Sequence, residues 1–401
     1  MTRVAVTGLG PVSSIGVGAR AFADALRAGR SGISRITSFD PAGFPFQNAG
    51  EVRSFDPADY LTTLDPAGWG RSSQLAASAA RLAVRDGGLD PASVAPGRAH
   101  AVIGTTSGES QVSEMLTAQI IDGGFAAQDP ALLRQLGAGR LAHAVSEELG
   151  LTGESVTIAT ACSASNYALG YAYDLLVTGE ADVVLAGGAD SVCRWAHAGF
   201  FRLGALTASA CAPFDRDRSG ILTGEGGAVL LLETFEHALA RGVRIQAEVL
   251  GYGVNCDASH PVAPDAASVA ECMRLAHRNA GVKAEEVDYV CAHGTGTPAN
   301  DLVEGGAILD VFAPSAPPVS SIKSMIGHTM GAACGFGAIA AVTAIDQGFL
   351  PPTINWANPD PALAGLDPVP NEARAATVRV VQNDGFAFGG NNAIVMLGAP
   401  R

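Results

Sequence analysis

One thiol and two imidazoles stand in small-residue settings along this chain. Cys162 lies in TACSASNYALGYA (160–172), His293 in AHGTGTPAND (292–301) and His328 in SIKSMIGHTMGAA (321–333). A cysteine is a nucleophile that forms thioesters, and two imidazoles could converge on it in space. Together they point to acyl-thioester chemistry and to carbon–carbon bond formation by acyl transfer, rather than to a binding module. Cys162 follows the apolar run 156–159 and precedes an apolar helix, so the thiol falls at a strand-to-helix turn. The helix N-terminus is expected to lower its pKa. Ala161, Ser163 and Ala164 leave room for a substrate, as in a nucleophile elbow, although the GxSxG pattern is absent. His293 closes an apolar run and enters the turn 294–297. His328 precedes the small-residue stretch 330–345.

Other chemistries fit less well. No i,i+3 or i,i+4 ligand pair accompanies these motifs, and no second cysteine does, so a metal site is not indicated. TGLGPVSSIG follows a strand-like run, but its spacing is not GxGxxG and no acidic residue ends a second strand about 20 residues on. Cys193, Cys211, Cys256, Cys272, Cys291 and Cys334 read as packing residues. His100, His143, His197, His237 and His277 read as surface or core, and His260 in the loop 257–261 is left open.

The elements that must position these groups alternate between strand and helix. Strands are expected at 4–7, 101–104, 156–159, 182–186 and 228–232, then near 246–252, 287–292, 318–321, 377–382 and 393–397. Helices are expected at 21–28, 73–86, 132–149, 164–178, 266–280, 301–312 and 331–347. Such alternation predicts α/β layers with buried sheets. The chain reads as two similar halves joined near 234–243.

With 401 residues, 48% of them hydrophobic, the chain has material for a large core. A net charge of −14 argues against nucleic acid as a partner. Seven cysteines without CxxC pairs and no secretory leader fit a reducing, cytoplasmic setting. The stretch 330–345 is short for a membrane span and reads as a buried helix. Of 25 basic residues only Lys283 and Lys323 are lysine, so a lysine inside the second histidine motif suggests a role arginine does not fill.

Together the motifs resemble those of elongating β-ketoacyl-[acyl carrier protein] synthases, the ketosynthase I/II type of fatty-acid and type II polyketide synthesis. The likeness runs from VAVTGLGPVSSIG to GFAFGGNNAIVML and includes AGGAD, PFDRDRSGILTGEGGAVLLLE and PPTIN. It implies the thiolase fold: two related halves, here 1–243 with the nucleophile and 244–401 with both histidines and the lysine, in five layers α-β-α-β-α. It implies an acyl chain on Cys162 and decarboxylation of a malonyl group with His293 and His328 as donors. The backbone N–H groups of Cys162 and Phe388 would form an oxyanion hole, and Phe386, Ala387 and Phe388 an acyl gate. Lys323 would set the electrostatics and orient His328. No metal or redox cofactor is implied, since phosphopantetheine arrives on the carrier protein. The implied partners are acyl carrier protein and a second subunit, either another copy or a chain-length factor. Arg194, Arg202, Arg216 and Arg218 are candidates for a carrier-binding patch.

Two departures from the family pattern matter for the gate and the polar network. NSFGFGG is replaced so that Ala387 stands for glycine, which predicts a restricted gate, and the acid about nine residues after the second histidine is replaced by Gly337. Two other readings are a chain-length-factor-like subunit without catalysis and a thiolase-like acyltransferase using coenzyme A. Cys162 disfavours the first, and the second histidine motif disfavours the second.

Overall fold

Period-two alternation divides the strand residues between separate cores. In Ala99–Gly104, Val102 packs with Leu230 and Phe336, whereas Ala101 and Ile103 pack with Leu75 and Leu141. In Tyr289–Cys291 the outer two residues join the first of these cores and Val290 joins a third. The sheets are thus covered on both faces, in agreement with their nearly continuous burial.

The computed structural model describes residues 2–53, 55–137 and 139–401. The first half contributes β1 (Val4–Ser13), β2 (Ala99–Gly104), β3 (Ser155–Ile158), β4 (Val183–Asp190) and β5 (Gly226–Thr234). The second contributes β6 (Ala247–Cys256), β7 (Tyr289–Cys291), β8 (Val319–Ser320), β9 (Val380–Phe386) and β10 (Asn391–Gly398). The main helices are α1 (Ala19–Arg27), α2 (Arg71–Asp86), α3 (Ser110–Gly123), α4 (Arg140–Leu149), α5 (Ala164–Val177), α6 (Arg194–Arg202), α7 (Ala266–Ala280), α8 (Pro298–Val311) and α9 (Ala333–Gln347).

The strands follow the path β8-β7-β9-β10-β6-β1-β5-β4-β2-β3. Each half repeats one order, first strand beside fifth, then fourth, second and third. The first–fifth and fifth–fourth pairs are antiparallel and the others parallel. The halves meet through antiparallel β1 and β6, with Val4 opposite Val249. Helices α2 and α4 cover the outer face of one half, and α7 and α8 that of the other. Between the sheets lie α5 and α9, which share a core containing Leu169, Leu176, Phe336 and Ile339. This is the five-layered α-β-α-β-α arrangement of the thiolase fold. The stretch Met330–Gln347, apolar on all sides, is 83% buried between the sheets, as a central helix should be.

Four expectations are corrected. The helix expected at 132–149 divides into Pro130–Leu133 and α4, because Gly137 and Gly139 interrupt it; Ala138 lies outside the described residues. The strand expected at 377–382 begins at Val380 and continues through Gln382, Asn383 and Asp384, polar residues that are fully buried. Helices α3 and α6 were not anticipated. Exposed Ile121 on α3 and Trp195 on α6, at 77% and 63%, blur the one-sided apolar stripe that marks a surface helix.

Glycines at the strand ends let the site loops sit directly on the sheet. A Cβ at Gly104 would lie 2.4 Å from the Ala164 carbonyl carbon. At Gly188 it would lie 2.4 Å from Ser165 Oγ and 2.6 Å from Gly331 O. Gly188 is therefore where the start of α5 and the turn before α9 rest on β4. Gly188→Ala is expected to destabilise the protein by about 1–3 kcal/mol through overpacking, read as a lowered denaturant midpoint. An unchanged midpoint would show that this apex yields freely.

Candidate active site

The site is built at the carboxyl ends of the parallel strands of both halves. After β3 the chain turns through Ala161, whose φ of 50° is left-handed, into a 3₁₀ turn Ala161–Ser163 and then α5. After β8 the same design recurs. Met330 takes φ of 53° and leads through the 3₁₀ turn Met330–Ala332 into α9. Left-handed conformations are costly for residues with a Cβ, so two at equivalent points mark turns that the surrounding packing imposes. Cys162 and His328 flank these turns. His293 follows β7, where Gly294 (φ 37°) and Gly296 (φ 79°) bend the chain back toward α8.

Cys162, His293, His328, Phe386, Ala387 and Phe388 line one cleft of about 250 Å³. The two imidazole centroids are 5.5 Å apart with planes at 80°, and the Phe386 ring lies 5.9 Å from His293. Cys162 and both histidines are buried. Lys323 does not line the cleft. It sits behind His293, donating from Nζ to the His293 carbonyl oxygen, with Nζ also 3.4 Å from His293 Nδ1. The expected partnership of Lys323 with His328 is therefore corrected: the lysine orients His293.

Hydrogen bonding assigns the tautomers. His328 Nδ1 accepts from the Met330 N–H at 3.0 Å, so Nε2 carries the proton. His293 Nδ1 faces the Lys323 ammonium, so its Nε2 is likewise the N–H. Burial and the Lys323 charge hold both imidazoles well below the usual histidine range, with His328 adding to the effect on His293. Two neutral rings thus each keep one N–H for an acceptor.

The thiol is corrected in the opposite direction. Burial pushes Cys162 up to about 11. The Lys323 charge and the backbone N–H groups of Phe388 and Cys162 itself draw it down without overcoming desolvation. Those two N–H groups lie beside the sulfur, which is the placement expected of them. A turn of helix with its dipole does not compensate for removing a thiolate from water.

Carboxylates hold the loops. Glu304 on α8 accepts the N–H groups of His293 and Gly294 at 2.6 and 2.7 Å. Asp301, one turn earlier, accepts those of Phe214 at 2.8 Å and Gly296 at 3.1 Å. Asp190, at the end of β4, accepts the N–H groups of Thr106 and Gly331, both at 2.7 Å, tying the turn after His328 to the first half. The His328 N–H donates to Leu222 O.

The departures from the family pattern have local explanations. Ala387 lies outside the left-handed region, while Gly389 and Gly390 take φ of 90° and 80°. Alanine therefore introduces no backbone strain in this conformation. A Cβ at Gly337 would lie 2.3 Å from Asn383 Oδ1, so a side chain there would require Asn383 to move. Asn383 instead donates to Asn166 Oδ1 and to Cys334 O, both at 2.9 Å. Of the arginine candidates, Arg218 is withdrawn from the surface by a 2.6 Å pair with Asp360, Arg216 pairs with its neighbour Asp217 and Arg194 donates to Asp40 O. Arg202 is exposed beside Leu203 and Gly204 of the cleft mouth.

Sequence reasoning missed Phe200 of α6, whose ring lies 6.3 Å from His328 and 6.1 Å from Phe388. No motif surrounds it. It also left His260 open: this residue lines the mouth, and its Nδ1 accepts the N–H groups of Val262 and Ala263, so it shapes its own loop.

Comparison with known proteins agrees with the geometry. Residues 1–238 match the family described as beta-ketoacyl synthase, N-terminal domain, and residues 246–357 its C-terminal domain. The chain is 37% identical to 3-oxoacyl-[acyl-carrier-protein] synthase 2 of Coxiella burnetii, over 98% of each chain. Among solved structures it is similar to the ishigamide ketosynthase/chain length factor, with TM-score 0.98, 49% identity and full coverage of both chains. It is also similar to a structure of a type II PKS acyl-carrier protein in complex with its ketosynthase bound to the hexaketide, with TM-score 0.92, 29% identity and full coverage of both chains.

Two measurements check the electrostatics. Alkylation of Cys162 by iodoacetamide should keep accelerating up to about pH 10; a plateau near neutrality would show a thiolate. The two site imidazoles should not titrate by NMR between about pH 8 and pH 5.5, where an ordinary histidine does; a midpoint in that window would place a charge on a ring assigned here as neutral.

Proposed function

The chain belongs to the β-ketoacyl synthase family, and we propose on that premise a residue-by-residue cycle for an elongating condensing enzyme. It is an acyltransferase. Cys162 attacks the thioester carbonyl of an acyl group on a carrier protein's phosphopantetheine. The pantetheine C–S bond breaks, the thiol proton passes to the released pantetheine sulfur, and the acyl chain becomes a thioester on Cys162. Malonyl carrier protein then enters. Its carboxylate leaves as carbon dioxide, and the electron pair stays behind as an enolate.

The enolate oxygen is received by Nε2–H of His293 and Nε2–H of His328. The observation that carries this reading is that each ring has its Nδ1 engaged from behind, by the Met330 N–H or the Lys323 ammonium, so that both offer the same nitrogen and face one cleft with Cys162. Neutral donors preorganised at an oxygen where charge develops supply the differential stabilisation that catalysis needs. The enolate carbon attacks the Cys162 thioester, and the tetrahedral oxygen sits on the N–H groups of Cys162 and Phe388. Collapse breaks the C–S bond, the β-ketoacyl product stays on the carrier, and the Cys162 sulfur takes a proton from solvent. No metal or redox cofactor enters this cycle.

Phe386, Ala387 and Phe388 serve as the acyl gate, with Phe200 as the ring against which Phe388 rests. The division at 243/244 separates the half bearing the nucleophile from the half bearing the donors, supported by the repeat of strand order on either side of it. The second subunit, another copy or a chain-length factor, pairs along β3, the free edge of the first half, and the exposed Met115, Ile121 and Trp195 of α3 and α6 offer it a further apolar surface. The carrier protein docks at the cleft mouth, with Arg202 as its basic contact. The seven free cysteines, six of them buried, support a reducing cytoplasmic setting. Both fatty-acid and polyketide extension fit this cycle.

Incubation with acyl carrier proteins should add an acyl mass to the intact protein, and Cys162→Ala should abolish it. His293→Ala and His328→Ala should retain loading but lower malonyl decarboxylation by about 10²–10³-fold. Loading that survives Cys162→Ala would remove the nucleophile from the mechanism.

A further inference from the structure

The carboxyl group of Asp384 has no place in the cycle above, yet it is buried beside the residue that clamps His293. Its Oδ1 accepts from Gln382 Nε2 at 2.8 Å, and its Oδ2 is enclosed without a hydrogen-bond partner among the described residues. Gln382 is held in turn by His277, whose Nε2 lies 2.7 Å from Gln382 Oε1. On its remaining side Asp384 meets the carboxyl group of Glu304. Both side chains are nearly without exposure.

Two enclosed carboxyl groups in contact cannot both be ionised. An unpartnered acceptor facing another acceptor is satisfied when one proton lies between them. The hydrogen bonds decide which group owns it. Glu304 accepts three N–H donors, from the His293 and Gly294 main chain and, at 3.1 Å, from Asn300 Nδ2. Asp384 accepts one. Glu304 is therefore the anion and Asp384 the acid.

We propose that Asp384 is a positioning residue of the condensing site: its neutral carboxyl donates to Glu304 and so fixes the carboxylate that holds the His293 and Gly294 main chain. The proposal rests on His293 acting as an enolate donor. Burial and the Glu304 charge hold the Asp384 proton well above the ordinary carboxyl range, while Lys323 opposes them. Burial and the Asp301 charge raise Glu304 as well, against the pull of its N–H donors and Lys323, so Glu304 is the first of the pair to ionise. The other titratable groups nearby are the thiols of Cys291 and Cys272 and the imidazole of His277 behind Gln382. The NSFGFGG motif of the resembling family has asparagine at this position. An amide there donates the same hydrogen bond but has no proton to lose, which makes the contact pH-sensitive in this chain alone of the two.

The test compares wild type, Asp384→Asn and Asp384→Ala. Malonyl-carrier-protein decarboxylation is followed against pH, each profile scaled to its own maximum, alongside acyl loading of Cys162 by intact mass and the infrared band of a protonated carboxyl group. Wild type should lose decarboxylation on the alkaline side as the pair sheds its shared proton and the two carboxylates repel. Asp384→Asn should lack that limb and the infrared band. Asp384→Ala should lower decarboxylation about tenfold more than it lowers loading, the scale of one buried charge-assisted hydrogen bond. An alkaline limb and band that persist in Asp384→Asn overturn the proposal, as does an equal loss of both steps in Asp384→Ala. Should Asp384→Ala fail to fold, the Asp384→Asn profile decides alone. A wild type that neither loads nor decarboxylates instead sinks the catalytic reading of the site, and the infrared band then still tests the shared proton.

Discussion

The main chain of His293 is gripped from both sides, its N–H by the Glu304 carboxylate and its carbonyl by the Lys323 ammonium. This is the constraint on which the rest of the site depends. Buried opposite charges are costly to desolvate, and they persist only where each finds partners. Here the partners are the backbone of a catalytic loop, so the energy that satisfies the ions also fixes the ring. The same lysine faces the imidazole at Nδ1, discourages its protonation and directs the remaining N–H into the cleft. Arginine offers a wider planar fork, which fits poorly behind a ring that must be approached by a single compact donor.

The fold supplies this arrangement by duplication and then breaks the symmetry. Both halves run through the same strand order, and in both the chain beyond the third strand passes through a left-handed residue that launches a central helix. One copy of that turn places a thiol and the other an imidazole. Because α5 and α9 share one core, the two turns are held at a fixed separation by the most buried layer of the protein. A site divided between halves thus gains the rigidity of a single packed unit.

Much of this was legible in the sequence, and the reasons for the rest are physical. Cys162, His293 and His328 stood out because chemistry requires their types and small residues must surround them. Strands such as β4 and β5 were legible because continuous apolar runs bury both faces. Strand β9 was misplaced because Gln382, Asn383 and Asp384 look like a turn until their partners, which are distant in sequence, are known. The direction of the Cys162 shift was misjudged for a related cause: a helix N-terminus is a local feature, whereas desolvation is set by everything packed around the sulfur. Lys323 was assigned to the wrong histidine because it shares a motif with His328, and only tertiary structure brings it to His293. Phe200 carries no pattern at all.

A resting site with a protonated thiol and two neutral rings has a consequence for the order of events. The ionised groups that lie behind His293, Lys323 and Glu304, are committed to its backbone. In the proposed cycle the charge that the two imidazoles receive is that of the enolate, which forms as carbon dioxide departs. Donors that are neutral and already oriented lose little reorganisation energy at that step, whereas a charged imidazolium would also bind the malonyl carboxylate and stabilise the ground state. Keeping the rings uncharged by burial therefore favours the breaking of the carbon–carboxylate bond over the holding of the carboxylate, and the deep burial that raises the thiol pKa is the same property that makes the histidines suitable donors.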